Sequence, residues 1–251
     1  MDKISVVIIT LNEERNIARC LKSVRILADE VIVVDSLSND ATKQIAESLG
    51  AKVIEQAFLG HIEQKNFAKN QASNDWILSL DADESLSIEL QESILEAKKS
   101  GLKGGYSMNR LTNYCGKWIR HSGWYPDIKL RLFQKNDGEW TGVNPHDRYE
   151  LSSDSVITHL QGDLEHFSFY SMDEHREQIE KFSDISSKAK FEKGIRSNWF
   201  KVMLKPVAKF LKSFFIKQGF RDGYYGWIIA TYSAYATYLK YSKLLQIQRS
   251  T

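Results

Sequence analysis

The stretch WILSLDADES, residues 76–85, joins an apolar run directly to an acidic run. Trp76–Leu80 is an apolar run of the length and composition of a buried strand. Three carboxylates, Asp81, Asp83 and Glu84, follow it at once. The stretch therefore predicts a buried strand that delivers acidic side chains to its carboxyl end.

The sequence upstream places this strand as the fourth of an alternating series. Strands separated by helices of about ten residues are typical of parallel β-α-β units, so the first 85 residues predict an open α/β sheet. Asn12 is expected to cap the first helix, and either Asn39 or Asp40 the second, which runs through Leu49. The other predicted segments are strands over Ile4–Thr10, Glu30–Val34 and Lys52–Glu55 and a helix over His61–Ala72.

Composition limits the class of protein. The chain has 251 residues, of which 42% are hydrophobic and 26% charged, as in folded globular proteins. Cys20 and Cys115 are its two cysteines, and they suggest neither a disulfide framework nor a zinc site. The N-terminal apolar stretch reads as a strand and not as a signal peptide, and no run reaches the ~18 apolar residues of a spanning helix. We therefore expect a cytoplasmic protein.

The predicted strand ends carry the candidate ligand-binding residues. Ligands of open α/β sheets bind beyond the carboxyl ends of the strands, where this sequence has Thr10–Glu13, Asp35 and Asp81–Asp83. The alternative is that these acids are ordinary turn residues that cap the next helices. This alternative explains a single acid more readily than it explains acids or hydroxyls at three of the four strand ends. We expect the side chains to converge at one edge of the sheet.

The motifs also indicate how a phosphate group would be held. The turn after the first strand contains no glycine, and no Gly-Lys-Ser/Thr loop occurs, which argues against a backbone-cradled pyrophosphate. An Asp-x-Asp pair after a strand suits Mg²⁺ or Mn²⁺, which take carboxylate oxygens and complete their shell with phosphate oxygens. The sequence therefore predicts a divalent cation at Asp81–Asp83.

Five blocks of the sequence together resemble family 2 glycosyltransferases with the GT-A fold. Within this family, the chain resembles the branch of lipopolysaccharide core β-glucosyltransferases, and the resemblance extends from residue 4 to about residue 240. It implies a GT-A catalytic domain over 1–165, with a donor half over 1–85 and an acceptor half over 86–165, and a mostly helical region over 166–251. The blocks are SVVIITLNEERNI, VIVVDSLSNDAT, QKNFAKNQASNDWILSLDADE, GWYPDIKLRLF and GFRDGYYGW.

The resemblance also implies a donor site for a nucleotide sugar. In such a site the acid that ends the second strand, here Asp35, hydrogen-bonds the base, and Asp81 contacts the ribose or the donor sugar. Asp83 coordinates the metal, with His166 as a further ligand unless that histidine is structural. Lys65 faces the donor, unless it is a solvated helix lysine. The remaining donor contacts implied are Thr10, Asn12, Glu13, Gln64 and Asn66.

The resemblance further implies a catalytic base for the acceptor hydroxyl. Asp147, in GVNPHDRYE, is the best match, although the family more often has Glu at this point. The alternatives are that Asp147 is a loop acid paired with Arg148, or that Glu150 or Asp127 is the base.

The aromatic loop RHSGWYPDIKLR is expected to help form the acceptor site. Trp124 and Tyr125 can stack on sugar rings, and Arg131 can bind phosphate or carboxylate. The alternative is that these aromatic side chains fill the core of the second half of the chain.

The C-terminal third carries a basic and amphipathic pattern. No acid occurs between Gly194 and Phe220. Pro206 is expected to open a helix with apolar residues on one face and lysines on the other. This pattern favours a helix lying on anionic lipid over one that packs on the catalytic domain. Nucleic acid is a weaker candidate, because the net charge is only +2 and no basic groove pattern repeats.

These observations favour an inverting, metal-dependent glycosyltransferase that moves a hexose, such as glucose from UDP-glucose, to a lipid-linked glycan on the inner face of the cytoplasmic membrane. Two alternatives stay open. One is sugar transfer to a polyprenyl phosphate, whose enzymes often carry spanning helices. The other is a non-catalytic module that binds sugar nucleotides, which would leave the clustered carboxylates unexplained.

Overall fold

The computed structural model describes residues 2–143, 146–152 and 155–250, apart from the side chains of Val143 and His146. The chain divides into two compact units. The first consists of Met1–Arg110 and Asp127–Phe167, and the second of Leu111–Pro126 and Ser168–Thr251. The expected functional division at residue 165 stays a prediction.

Four parallel strands form the N-terminal half of the first unit. Strand β1 lies between β2 and β4, and β3 extends the sheet beyond β2. The predicted α/β class and the predicted strand–helix alternation are confirmed. The bounds are β1 Ile4–Thr10, α1 Ile17–Val24, β2 Glu30–Asp35, α2 Thr42–Ser48, β3 Lys52–Glu55, α3 His61–Gln71 and β4 Trp76–Asp81.

The central strands are apolar throughout because both of their faces are covered. Ile4, Val6 and Ile8 of β1 belong to one core cluster, whereas Val7, between them, belongs to another with Ile77 of β4. Side chains of a strand alternate between the two faces of a sheet. A continuous β-branched run is therefore what a doubly covered strand requires.

Antiparallel strands complete the sheet of the first unit. Strand β8 pairs with β4 and with β6, and β11 pairs with β5. A separate hairpin, β9–β10, packs Tyr149 in a stack on Phe133, with ring centroids 3.5 Å apart. The bounds are β5 Glu84–Leu86, α4 Ile88–Ser100, β6 Gly105–Tyr114, β7 Lys117–Ile119, β8 Asp127–Gln134, β9 Gly138–Val143, β10 His146–Leu151 and β11 Ile157–Phe169.

The second unit is mostly helical, as predicted. Its core includes an aromatic cluster around Tyr114, which packs edge-on against Phe169 and His175. In the part of the chain that the structure describes, no helix is both long and apolar enough to cross a membrane. The bounds are α5 Met172–Glu192, α6 Trp199–Leu211, a π-helical segment Lys212–Ile216, a 3-10 segment Gly219–Asp222 and α7 Tyr224–Ser250.

Three of the expected helix starts are wrong. Helix α2 has Ala41 at its N-cap, in place of Asn39 or Asp40. Asn12 does not cap α1: it has a positive φ of 55°, and its amide donates to Ser38 Oγ at 2.8 Å, which ties it to the loop after β2. The helix begins at Ile17. Pro206 lies inside α6, which is capped instead by Asn198, whose side chain accepts from the amide of Lys201.

The expected start of the helical region at residue 166 is also early. Strand β11 continues to Phe169, and α5 begins at Met172 with a capping box formed by Ser171 and Glu174. Strands β10 and β11 did not stand out in the sequence, because they combine charged and apolar residues without a clean alternation.

Candidate active site

The carboxyl ends of the central strands bring the predicted acids to one edge of the sheet. In the strand register, Thr10 lies beside Asp35 on one side of β1, and Ile9 lies beside Asp81 on the other. The amide of Ala82 donates to the carbonyl of Ile9 at 3.1 Å, so β4 stays paired as far as this edge. We call this edge, with Asp35, Asp81 and Asp83, the acidic rim.

Asp35 and Thr10 occupy one side of the acidic rim. Asp35 is fully buried, and its carboxylate accepts hydrogen bonds from the amide and the hydroxyl of Ser38, at 2.8 and 2.6 Å. The buried hydroxyl of Thr10 has no hydrogen-bond partner among the described residues. A buried polar group without a partner is costly, so a ligand that bonds this hydroxyl would be stabilised here.

Glu13 is a partly buried carboxyl next to the rim. It accepts a hydrogen bond from Asn16 at 2.6 Å, and its backbone amide donates to Thr42 at 2.7 Å. Burial raises the pKa of Glu13 to about 7, assisted by the negative charges of Asp83 and Asp40. Part of the Glu13 population is therefore protonated near neutral pH, and a cation at the rim would favour its charged form.

Helix α3 presents three polar side chains to this region. Gln64 is buried and donates to Ser36 Oγ at 3.1 Å and to a backbone carbonyl at 3.2 Å. Asn66 forms two hydrogen bonds with the backbone of Trp140: its side-chain nitrogen donates to the carbonyl at 2.9 Å, and its side-chain oxygen accepts from the amide at 3.0 Å. These contacts fix α3 against the segments that directly follow β2 and β3 and against the β9–β10 hairpin.

Lys65 links two of the predicted site acids. Its side chain is only 3% exposed, and its ammonium group lies 3.1 Å from Asp81 and 2.8 Å from Asp147. The face of the Trp140 ring lies 4.6 Å away. The alternative of a solvated helix lysine is therefore wrong. Lys65 and its partner Asp147 are 82 positions apart in the sequence.

Asp81 is held by a second buried cation, Arg131. The guanidinium Nη2 lies 3.1 Å from Asp81 and 2.7 Å from Glu84, whose side chain is fully buried. Burial raises the pKa of Asp81, but Lys65 and Arg131 outweigh that effect and hold it well below its usual range. Asp81 is therefore a carboxylate over the whole physiological pH range.

Arg131 differs from its expected setting. It was expected in the acceptor site, but its side chain is 3% exposed and it pairs with Asp81 of the rim and with the buried Glu84. Its Nε and Nη1 atoms have no hydrogen-bond partner in the described part of the chain. Its role as an acceptor contact stays a prediction, while its ion pairs give it an immediate role in positioning Asp81.

Asp147 lies on β10 with its side chain 12% exposed and its Oδ2 bound to Lys65. The expected alternative, an ion pair with Arg148, does not form, because Arg148 pairs with Glu150. Of the two other candidate bases, Glu150 is exposed to solvent and Asp127 pairs with Arg110 and Lys129. Asn144, Pro145 and the side chain of His146, which precede Asp147, lie outside the described residues.

Asp83 and His166 meet on the other side of the rim. The pairing of β11 with β5 places His166 beside Glu84 in the register, and the amide of Phe167 donates to the carbonyl of Asp83 at 2.9 Å. His166 Nε2 then lies 3.1 Å from Asp83 Oδ2. The two side chains that were expected to bind the metal are therefore adjacent.

This pair fits an open divalent-cation site. No group of three His, Cys, Asp or Glu side chains that could enclose an ion occurs among residues 2–143, 146–152 and 155–250. A carboxylate and an imidazole can be Mn²⁺ or Mg²⁺ ligands when water and phosphate oxygens supply the others. The pKa of Glu13, raised in part by Asp83, indicates excess negative charge that a cation would relieve.

The two aromatic residues predicted for the acceptor lie in the second unit. Trp124 packs edge-on against Tyr114, with ring centroids 5.7 Å apart, and joins the aromatic cluster there. This is the packing that the alternative interpretation predicted for Trp124. Tyr125 lies under the guanidinium of Arg120, 5.4 Å from its ring centroid. Contacts of either residue with an acceptor stay predictions.

Sequence reasoning missed Glu84 as part of the site. Its side chain accepts from the amide of Asp81 at 3.0 Å and pairs with Arg131, so it braces the acid that precedes it by three residues. The only signal in the sequence is that Glu84 continues the acidic run of residues 81–84. Its burial could not be read there, because a third acid after a strand is usually solvated.

Comparison with known proteins identifies similar sequences over the whole chain. The sequence model of Glycosyl transferase family 2 matches residues 5–153. A glycosyltransferase of Rickettsia typhi, described as uncharacterized, is 34% identical over 98% of this chain and 88% of its own length. Lipopolysaccharide core biosynthesis glycosyltransferase LpsC of Rhizobium meliloti is 27% identical over 97% of this chain and 92% of its own.

Solved structures with partial similarity are also known. Glucosyl-3-phosphoglycerate synthase from Mycobacterium tuberculosis, in complex with Mn²⁺, UDP and glucosyl-3-phosphoglycerate, is 25% identical, with a TM-score of 0.38 over 45% of this chain and 44% of that one. TarS of S. aureus is 17% identical, with a TM-score of 0.48 over 73% of this chain and 39% of that one. This chain spans less than half the length of either protein.

Proposed function

The chain belongs to glycosyl transferase family 2, and from this premise we propose that it is an inverting, metal-dependent hexosyltransferase. The proposed donor is UDP-glucose, and the proposed acceptor is a lipid-linked glycan such as the lipopolysaccharide core. One observation carries the proposal: the buried Lys65 joins Asp81, at the sheet edge that also carries Asp83, to Asp147 from a distant part of the chain.

The acceptor class follows from the similarity to LpsC, whose name assigns it to lipopolysaccharide core biosynthesis. This similarity extends over almost the full length of both chains, so it includes the region after the catalytic strands. A lipid-linked acceptor places the reaction at a membrane, and a nucleotide-sugar donor is a cytoplasmic metabolite class. We therefore propose that the protein works at the cytoplasmic face of a membrane.

The donor is proposed to lie along the rim, from Asp35 to Asp83. Asp35 would accept from the N3–H of uracil, which requires a lone pair beyond those used by Ser38, and each carboxylate oxygen has two. The hydroxyl of Thr10, which is buried without a partner, would bond the nucleotide. Asp81, kept ionised by two cations, would orient the ribose or the sugar by accepting hydrogen bonds from hydroxyl groups.

The proposed reaction is a single displacement at the anomeric carbon. The acceptor oxygen forms a bond to this carbon as the bond to the diphosphate oxygen breaks, and the hydroxyl proton passes to Asp147. Lys65 holds Asp147 in position through their 2.8 Å ion pair. The nucleoside diphosphate leaves from the opposite face, so the configuration at the anomeric carbon is inverted.

Asp83 and His166 would hold the divalent cation. When bound, Mg²⁺ or Mn²⁺ would neutralise the charge that develops on the departing diphosphate. Asp83 supplies the carboxylate for this task, while His166 limits its orientation from 3.1 Å away. Glu84 and Arg131 act one layer below, where they fix the backbone and the side chain of Asp81.

The proposal is tested by measuring UDP release from UDP-glucose and transfer to a lipopolysaccharide core acceptor, with Mn²⁺ and with a chelator. Asp83→Asn removes a proposed metal ligand and should abolish the effect of Mn²⁺. Asp147→Asn removes the proposed base and should strongly lower transfer while donor binding remains.

Each variant has a matched control nearby in the sequence. Asp75 is exposed and precedes β4 at the end away from the rim, so Asp75→Asn should leave the metal response unchanged. Glu150 is exposed on β10, so Glu150→Gln should leave transfer unchanged. If the chelator does not change the turnover of the wild type, the proposed metal dependence is wrong. Full transfer by Asp147→Asn would remove the base.

A further inference from the structure

The helical second unit leaves a row of large apolar side chains uncovered. Phe200, Met203, Leu204 and Val207 recur along α6 at the spacing of one helix face. Such a stripe normally faces a protein core, yet each of these four side chains is between 57% and 76% exposed. Phe215 and Ile216, in the π-helical segment that follows, are 55% and 73% exposed. We call these six residues the apolar strip.

The apolar strip is not a face that the fold needs for its own packing. Helix α6 packs within the second unit through a different face, where Val202 is buried. Beyond it, Phe210 lies edge-on to Trp227 of α7, with ring centroids 5.1 Å apart, and Phe214 does the same at 5.5 Å. A contiguous apolar patch of this kind, in contrast to single exposed residues, marks an interaction surface.

A basic row lies on the other face of the helix that carries the apolar strip. Lys205, Lys209 and Lys212 are exposed, and each follows a strip residue by five positions, which is well over a quarter turn around the helix. Lys217 and Arg221 continue the positive charge past its end, and the sequence has no acid from Gly194 to Phe220. An occupant of the strip therefore approaches a segment that carries positive charge and has no acidic residue to balance it.

We propose that the apolar strip and its basic row dock on a lipid bilayer that contains anionic lipid. A convex helix face fits the plane of a bilayer interface, where apolar side chains enter the acyl boundary and lysines extend to the headgroups. The positive charge of the three lysines is complementary to anionic headgroups, which attract basic segments near the surface. The six strip residues and the three lysines belong to one continuous stretch of 17 residues, 200–216, so one helical segment carries both the apolar face and the charged face of an interfacial helix.

The inference is tested with the full chain and phosphatidylcholine vesicles, with or without phosphatidylglycerol, by flotation. The wild type should bind the mixed vesicles and lose binding as salt rises. Lys205→Glu/Lys209→Glu should weaken this binding by about 25-fold or more, because each lysine near an anionic surface strengthens binding about fivefold. Met203→Ser/Leu204→Ser should weaken it by about tenfold or more, through lost apolar burial.

Matched controls carry the same substitutions elsewhere on the surface. Lys22→Glu/Lys99→Glu reverses two exposed lysines of the first unit, and Ile88→Ser removes an apolar side chain that is 75% exposed. Both should bind the mixed vesicles as the wild type does. Equal binding of the wild type to neutral and mixed vesicles, or binding to neither, would overturn the proposal.

A second copy of the chain is the rival occupant. If sedimentation shows a wild-type dimer that Met203→Ser/Leu204→Ser dissociates, the strip is an interface between copies and the bilayer proposal is wrong. UDP release from UDP-glucose, measured without vesicles on every variant, separates this inference from the proposed function. A variant that loses vesicle binding but releases UDP normally bears on the strip alone. A variant that binds vesicles but no longer releases UDP bears on the catalytic proposal alone.

Discussion

Replacing Arg131 by methionine tests how far the acidic rim depends on one buried guanidinium. Arg131 Nη2 lies 2.7 Å from Glu84 and 3.1 Å from Asp81. Methionine keeps much of the apolar stem and removes the charge. The fully buried Glu84 would be left with Arg110, whose Nη1 is 3.6 Å away and which also pairs with Asp127. The variant therefore leaves a buried carboxylate poorly compensated.

The expected loss of stability is large. Removing one partner of a buried ion pair costs about 3–5 kcal/mol, because the remaining charge stays buried without its counter-charge. For a chain of this size, each kcal/mol shifts the thermal midpoint by about 2–4 °C, so a decrease of about 6–20 °C is expected. Urea unfolding near neutral pH, followed by tryptophan fluorescence and circular dichroism, measures the free energy of unfolding directly.

Two further variants make the result specific. Arg148 forms the equivalent pair with Glu150 on the surface, with its side chain 71% exposed, so Arg148→Met should cost at most about 1 kcal/mol. Arg131→Met/Glu84→Met removes both buried charges and should be more stable than Arg131→Met alone. The reasoning is refuted if Arg131→Met loses no more than Arg148→Met, or if the double variant is no more stable than the single one.

Three other outcomes follow from the site. Asp147→Asn should lower transfer by about 10²–10⁴-fold, as expected when a general base is lost, with Glu150→Gln as the unaffected control. Asp83→Asn should weaken Mn²⁺ binding measured by calorimetry, whereas Asp75→Asn should not. Glu13 has a folded pKa of about 7 against 4.5 ordinarily, so the stability it contributes is present below 4.5 and is lost as the pH rises through 7. Glu13→Gln should accordingly flatten the pH dependence of the urea midpoint in that window, and an unchanged slope would contradict the raised pKa.

The metal and pH predictions are linked through Glu13. Because Asp83 contributes to the raised pKa of Glu13, a cation bound at Asp83 should lower that pKa. Glu13 would then be charged when the site is loaded and partly protonated when it is not. Its coupling to the rim follows from proximity in space, since the two acids are 70 positions apart in the sequence.

Local patterns were sufficient for the framework of the site. Hydrophobic periodicity distinguishes a strand such as Ile4–Thr10 from a helix such as Ile17–Val24, because the two backbones repeat their side-chain directions differently. Parallel strands connected by helices then end at a common edge, so the positions of Asp35 and Asp81 at that edge follow from the order of the elements.

Local patterns gave the wrong helix start where a residue outside the segment determined the local structure. Asn12 has the residue type of a helix cap, but its hydrogen bonds go to the loop at Ser38 and Asn39. Pro206 can open a helix, but Asn198 supplies a cap eight residues earlier. In both cases the residue that decided the outcome lies several positions or more away from the residue that suggested the helix start.

The amino-acid sequence alone determined the α/β class, the family, and which residue types stand at the strand ends, since all of these depend on local periodicity and motif. Only the tertiary structure decided that Lys65 is buried between Asp81 and Asp147, that Arg131 lies under the rim, and that the stripe on α6 faces solvent. The physical reason is that a charge is stabilised in the interior only by partners brought close in space, and the distance between two side chains is set by the packing of elements that lie far apart along the chain.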